Sequence, residues 1–162
     1  MKEKREILDI LEKDARTTPK EIAAMLGLKE EEVRRAIEEL EKDKTIVKYK
    51  TVVNWEKAGV EMASALIEVK VSPQRDVGFD SIAERIYLFP EARTVYLVSG
   101  TYDLQVQVVG KTMKDISRFV TEKLAPLEGV QGTVTHFLLK RYKEDGDILG
   151  GDEEVKRIPI SL

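Results

Sequence analysis

Apolar positions recur at two different spacings along the chain, and the change between them divides it. In the first fifty residues the spacing is helical. Ile7, Leu8 and Leu11 form one stripe, with Ile10 beside it, and the helix they predict ends near Asp14-Ala15. TTPKEIAAML follows. Thr18 is placed to cap a short helix, Pro19 fits its first position, and Glu21 completes a capping box. Ile22, Ala23 and Leu26 supply its buried stripe, and Gly27 is the expected left-handed C-cap. A third helix carries Val33, Ala36, Ile37 and Leu40 on its inner face. Helix, short helix, tight glycine turn and longer helix is the order of a helix-turn-helix domain.

From Thr45 the spacing changes. TIVKYKTVVNW is rich in β-branched and aromatic residues and predicts one or two extended segments, and Asn54–Gly59 breaks them. Residues 62–71 then read as a strand, 76–89 as a helix with Phe79, Ile82, Ala83 and Ile86 on one face, and 93–99 and 101–110 as strands joined through Gly100. Residues 112–127 read as a helix and 130–142 as the last strand. The fold class is therefore α+β: a winged-type or helix-turn-helix domain, then a ferredoxin-like β-α-β-β-α-β plait. The expected division is 1–46 for the helical domain, 47–60 for an extended linker, 61–143 for the plait and 144–162 for the tail. The acidic, Gly-rich stretch 144–154 is expected to be exposed, and KRIPISL to add a short edge strand or stay loose.

Both faces of the plait sheet read as partly apolar. Ala63, Ala65, Ile67, Val69 and Val71 share one face of the first strand, against Met62, Ser64, Leu66, Glu68 and Lys70 on the other. In the last strand Val134, His136, Leu138 and Lys140 alternate with Thr135, Phe137, Leu139 and Arg141. Helices cover only one face of such a sheet, so a second subunit on the other is the simplest complement. Cover by the first domain or by the tail is the alternative.

Charge changes the picture at one place. The 162 residues carry a formal net charge of -3, so any nucleic-acid contact depends on a local patch. Yet the third helix opens on Glu30, Glu31 and Glu32. Across 29–43, four positive residues (Lys29, Arg34, Arg35, Lys42) face seven negative ones, for a balance of -3. Duplex affinity rests largely on phosphate neutralisation, which this helix supplies poorly. A glutamate can instead accept from cytosine N4. The residues expected to meet DNA are Thr18, Lys20, Lys29, Arg34, Arg35, Lys48 and Lys50, with Glu31 and Glu32 as base readers; Lys2, Lys4, Arg5 and Arg16 are further phosphate candidates.

Cysteine is absent, which excludes disulfides and thiolate chemistry, and no apolar signal or membrane-length run is present, so a cytoplasmic protein is expected. His136 is the single histidine. No catalytic residue, metal site or cofactor is expected, and Asp145 with Asp147 reads as a solvated face.

ILDILEKDAR (7–16), EIAAMLGL (21–28), VRRAIEELEKDKTI (33–46), YKTVVNWEKAG (49–59), VYLVSGTYDLQVQV (95–108) and LEGVQGTVTHFLLKRYKEDG (127–146) together resemble the Lrp/AsnC family of prokaryotic transcription regulators, over residues 4–157. The resemblance implies an N-terminal domain that binds double-stranded DNA and a C-terminal domain that assembles and answers to an amino acid or related small metabolite. It implies homodimers formed through the plait sheets, and tetramers or octamers of these. It places the effector at SGTYD, that is Ser99, Gly100, Thr101, Tyr102 and Asp103; there backbone N–H groups are expected to hold an α-carboxylate, Asp103 to meet an α-ammonium and Tyr102 to wall the pocket, and the alternative is a plain turn with Asp103 bonded to its own backbone. The chain departs from the family at Lys29, at Ala36 where arginine is usual, and at Lys44 where the helix normally ends in glycine; a strained backbone or a different turn is expected there. Two other functions fit the layout: a metabolite-sensing assembly module without DNA binding, and an enzyme like the sirohaem-decarboxylating relatives, which a lone strand histidine disfavours.

Overall fold

Thr18 is extended at the start of the second helix. Its hydroxyl accepts the Glu21 N–H at 3.3 Å, and the Glu21 carboxylate returns to the Thr18 N–H at 2.8 Å. The two bonds satisfy donors that a helix start leaves unpaired. This box opens α2 (Pro19–Leu26), and Gly27, at φ 68 and ψ 30, ends it as predicted. The computed structural model, which describes residues 2–72 and 78–150, places α1 (Lys2–Lys13) before it and α3 (Glu30–Lys42) after it. Ile7, Leu11, Ile22, Ala23 and Val33 bury together as the core of this unit, Met1–Val53. Lys29 caps α3 by its backbone alone. Lysine has no side-chain acceptor, so only the Glu32 half of a capping box is made, to the Lys29 N–H at 3.1 Å.

Beyond α3, Lys44 stands at φ 65, so of the strained backbone or different turn expected there the chain takes the strained, left-handed one. The Ile46 N–H reaches back to the Leu40 carbonyl at 2.9 Å, and Asp43 accepts the Thr45 N–H at 2.9 Å. Residues 45–53 make no strand ladder. Val47 is exposed, and the Tyr49 hydroxyl donates to Glu41 at 2.8 Å. The β-branched pattern there found no neighbouring strand.

The second unit, Asn54–Leu162, opens on a capped turn where a break was expected. Asn54 Oδ1 accepts the Lys57 N–H at 3.0 Å, and Gly59 closes the turn at φ 70. Then come β1 (Ala63–Val71), α4 (Asp80–Tyr87), β2 (Ala92–Leu97), β3 (Leu104–Gly110), α5 (Met113–Phe119) and β4 (Val130–Phe137). The sheet order is β2-β3-β1-β4, antiparallel throughout, which is the ferredoxin-like arrangement. Ala65, Ile67, Val69 and Val71 of β1 bury against Ile82 and Ile86 of α4 and Ile116, Phe119 and Leu124 beyond. Each large aliphatic side chain buried this way contributes about 1.5–3 kcal/mol.

Several boundaries differ from the pattern. The first plait helix is described only from Asp80, and Asp76 and Val77 lie outside the described residues. The single helix expected over 112–127 becomes α5 followed by a π-helical turn, Val120–Leu124. β3 starts at Leu104, not Thr101, and β2 is an edge strand, so Gly100 joins an edge strand to an inner one. The last strand stops at Phe137, and the chain then forms a small hairpin of β5 (Lys143–Glu144) and β6 (Asp147–Ile148), which the sequence reading did not name. KRIPISL lies outside the described residues.

Candidate DNA-reading helix and ligand loop

Ion pairing sorts the side chains of α3. Glu30 Oε1 and Arg34 Nη2 stand 2.8 Å apart, one helical turn along. Glu32 is occupied by the Lys29 N–H. Lys4 of α1 bonds Glu39 at 2.8 Å and holds that carboxyl below its ordinary range. Arg35 forms no salt bridge, and Glu31 has no partner among the described residues. These two are four residues apart and exposed, so they share a face. Lys20 is exposed on α2, Thr18 serves as its cap, and Lys48 and Lys50 are exposed on the chain that follows α3. Of the predicted reading residues, Arg34 and Glu32 are thus engaged within their own helix, which sequence spacing leaves open.

In the second unit, Ser99, Gly100 and Thr101 are exposed, and Tyr102 and Asp103 half-buried. Gly100 has φ 145, and a Cβ built on it meets nothing within 4 Å. The loop is pinned at its base. The Val98 N–H reaches the Asp103 carbonyl at 2.9 Å, and the Asp103 N–H reaches the Val69 carbonyl at 3.1 Å. Asp103 Oδ2 accepts the Val71 N–H at 3.0 Å, while Lys70 Nζ lies 3.2 Å from Oδ1 and 3.1 Å from Oδ2. The Val71 N–H, and after it Lys70, hold the carboxyl below its ordinary range against the opposing pull of burial. The Asp103 carboxylate therefore binds β1, neither free in the loop nor folded on its own backbone. Lys70 was not singled out from sequence; it lies 33 residues away.

The uncovered face of the sheet is mixed. Register places Leu66, Glu68 and Lys70 of β1, Gln105 and Gln107 of β3, Tyr96 of β2, and Val134 and His136 of β4 on it. His136 Nε2 lies 3.3 Å from Glu68 Oε1. Near the start of β1, Arg141 bonds the buried Ser64 hydroxyl and, at 3.0 Å, Glu144. Part of that face is thus covered by the chain's own C-terminal segment. On the helix side, Glu91 pairs with Lys123 beside a hollow of about 310 Å³, also lined by Asp115, Arg118 and Phe119. Burial opposes the Glu91 charge, and Lys123 outweighs it, leaving the carboxyl below its ordinary range. No sequence signal marked this pair.

A helix-turn-helix unit joined to a plait with a glycine loop defines a regulator that binds DNA and a small ligand. Residues 4–47 match the winged helix-turn-helix DNA-binding domain, and residues 64–148 match the Lrp/AsnC ligand binding domain. The chain is 47% identical over 157 residues to an uncharacterized HTH-type transcriptional regulator of Bacillus subtilis, YugG, covering 96% of this chain and 95% of that one. It is 31% identical to the HTH-type transcriptional regulator FL11 of Pyrococcus furiosus, over 89% and 92% of the two. Among solved structures, PH0061 superposes with a TM-score of 0.75 at 21% identity, covering 89% of this chain and 95% of that one. The regulator NMB0573 of Neisseria meningitidis, solved as a complex with L-Met, superposes at 0.70 with 24% identity, over 89% and 92%. The chain belongs to the Lrp/AsnC family of transcription regulators.

No helix among the described residues is long and apolar enough to cross a membrane.

Proposed function

We propose that this regulator binds DNA sequence-specifically through Arg35 and Glu31 of α3, supported by Thr18, Lys20, Lys29, Lys48 and Lys50. Arg34 joins them once released from Glu30. Its effector is an amino acid or related small metabolite, as the L-Met complex of the Neisseria relative supports, and we place it at Ser99–Asp103. Homodimers form through the mixed outer face of the sheet, and further assembly brings ligand loops together. Residues 1–46 are the DNA-binding domain, 47–60 the linker, 61–143 the effector and assembly domain, and 144–162 the tail.

The observation that carries the reading is the pair Arg35 and Glu31, exposed and, among the described residues, without a salt-bridge partner on one face of the helix-turn-helix unit's last helix. A gel-shift with duplex from upstream of the protein's own gene tests it, at about 50 mM salt, where phosphate contacts are strongest. A shift that Arg35→Ala abolishes is expected. A second reading, a metabolite-sensing assembly module without DNA binding, is favoured by the -3 balance of residues 29–43. Absence of any shift, with and without amino acids, would establish it in place of the first.

A further inference from the structure

We propose that Lys4 of α1 is a positioning residue for DNA reading: by taking Glu39 it keeps Arg35 out of an ion pair within α3 and available to a base edge. The proposal rests on the reading that Arg35 meets DNA. It makes Lys4 act through Arg35, where charge alone made it a phosphate candidate.

Arg35 stands between two glutamates at helical reach, Glu31 one turn before it and Glu39 one turn after. The same spacing pairs Glu30 with Arg34 at 2.8 Å, so a guanidinium on this helix does close on a carboxylate one turn away. Arg35 forms no ion pair among the described residues. At Glu39 the reason is a competitor from another helix. Lys4 Nζ lies 2.8 Å from Glu39 Oε2, beside a hollow of about 260 Å³ that Ile7, Leu28, Arg35 and Ala36 also line. Ile7 and Val33 pack together in the core of the unit and fix α1 against α3, which sets the reach of the lysine. Ala36 offers only a methyl group and leaves its path open. The hydrogen bond and charge of Lys4 hold the Glu39 carboxyl below its ordinary range, and Arg35 adds a weaker pull without a bond. Two cations thus compete for one acid, and the lysine has it. The order along the helix favours that outcome, because a base placed before its acid pairs less well than the reverse.

Without the Lys4 ammonium, Glu39 is a free carboxylate one turn from Arg35. An exposed pair of this kind shifts an equilibrium about twofold. That penalty falls on the contacts Arg35 itself makes, which are base contacts, and so on the preferred sequence alone. A lysine that touched phosphate would behave otherwise. Its loss would weaken every duplex alike and lower the salt slope by about 0.9. The other acids nearby do not blur the comparison. Glu32 accepts the Lys29 N–H, and Glu3, Glu31 and Asp43 stand unchanged in every variant, so their hold on the two cations cancels.

Two measurements on the full chain test this. An NMR titration of the Glu39 carboxyl reads the competition without DNA. In Lys4→Met the carboxyl should move only part of the way up to its ordinary range, and in Lys4→Met/Arg35→Ala the rest of the way, since a neighbouring cation favours the charged form. The same value with and without Arg35 overturns the proposal and leaves the DNA reading standing. Fluorescence anisotropy at about 50 mM salt, where exposed charges are least screened, then compares duplex from upstream of the protein's own gene with an unrelated duplex of equal length. The ratio of the two affinities should fall about twofold in Lys4→Met. It should return in Lys4→Arg, and in Lys4→Met/Glu39→Gln, which has the net charge of the wild type. A ratio that Lys4→Met leaves unmoved, or a loss on both duplexes that Glu39→Gln does not restore, overturns the proposal while Arg35 keeps its role. A wild type with no preference for the upstream duplex overturns both.

Discussion

Replacing Glu30 by glutamine separates charge cancellation from helix stability on α3. The Glu30–Arg34 pair is 2.8 Å long, with side chains 44% and 58% exposed. An exposed pair one turn apart is worth about 0.3–0.5 kcal/mol, less than the thermal energy, so Arg34 is weakly held. Glu30 also sits in the first turn, where its charge meets the positive helix end for about 0.3–1 kcal/mol. The substitution should therefore cost the first unit about 0.6–1.5 kcal/mol. It removes one negative charge and frees one guanidinium. If Arg34 then neutralises one phosphate, the slope of log affinity against log salt steepens by about 0.9. Between about 50 and 200 mM salt, the variant's advantage should shrink roughly 3.5-fold. Fluorescence anisotropy with a labelled duplex at several salt concentrations reads this directly. Arg34→Ala in the Glu30→Gln background should cancel the gain, and in the wild type it should do little. Parallel salt lines for wild type and Glu30→Gln would refute the argument, because Arg34 would then be unable to reach phosphate even when released.

Lys44→Gly should stabilise the first unit by about 0.5–1 kcal/mol, the left-handed penalty of a side chain less the unfolded-state freedom of glycine, read as a rise in its thermal midpoint. Gly129→Ala should destabilise the plait by about 1–3 kcal/mol in a urea titration, because φ is 91 and a Cβ would stand 2.6 Å from Ile82 Cδ1. Asp103 has a carboxyl pKa below its unfolded value of about 3.9. Its contribution is therefore complete above that value and lost as pH falls through the lower folded one, and Asp103→Asn should flatten the acid limb of plait stability below about pH 4–5. Val134→Asp, at a residue 53% exposed on the outer face, should reduce the sedimenting mass to that of a monomer without changing the circular dichroism.

Local chemistry was readable along the chain, and contact across it was not. Thr18, Pro19, Glu21 and Gly27 act within one helix, and each took its expected place. Lys44 was readable for the same reason, since a backbone turn depends on its own residue. The alternation of β1 named its buried face because a period of two leaves only two choices. Residues 45–53, read as extended, join no ladder, because β propensity needs a neighbouring strand to act on. The π-turn at Val120–Leu124 was invisible because its residues keep helical spacing. At the Ser99–Asp103 loop the turn was legible and the partnership of Asp103 was not. Nothing near Asp103 in sequence announces Lys70 and Val71, which the antiparallel β1–β3 pairing brings to it. Likewise, Arg34 looked available until its rotamer placed it on Glu30.

β1 is hydrogen-bonded on both sides, to β3 and to β4. An edge strand can slip or peel with the loss of one ladder, but an inner strand must break two. Lys70 is mounted on that inner strand and the Asp103 carboxylate is bonded to it, so an effector at the proposed loop would meet a fixed bar with one long movable side chain. The quick degree of freedom is the swing of an ammonium, a matter of nanoseconds, not the sliding of a sheet. On the same face of the same strand, two residues from Lys70, stands Glu68, with His136 reaching it diagonally from β4. Information passing from loop to sheet face over that short span would travel as redistributed charge, with the backbone holding still.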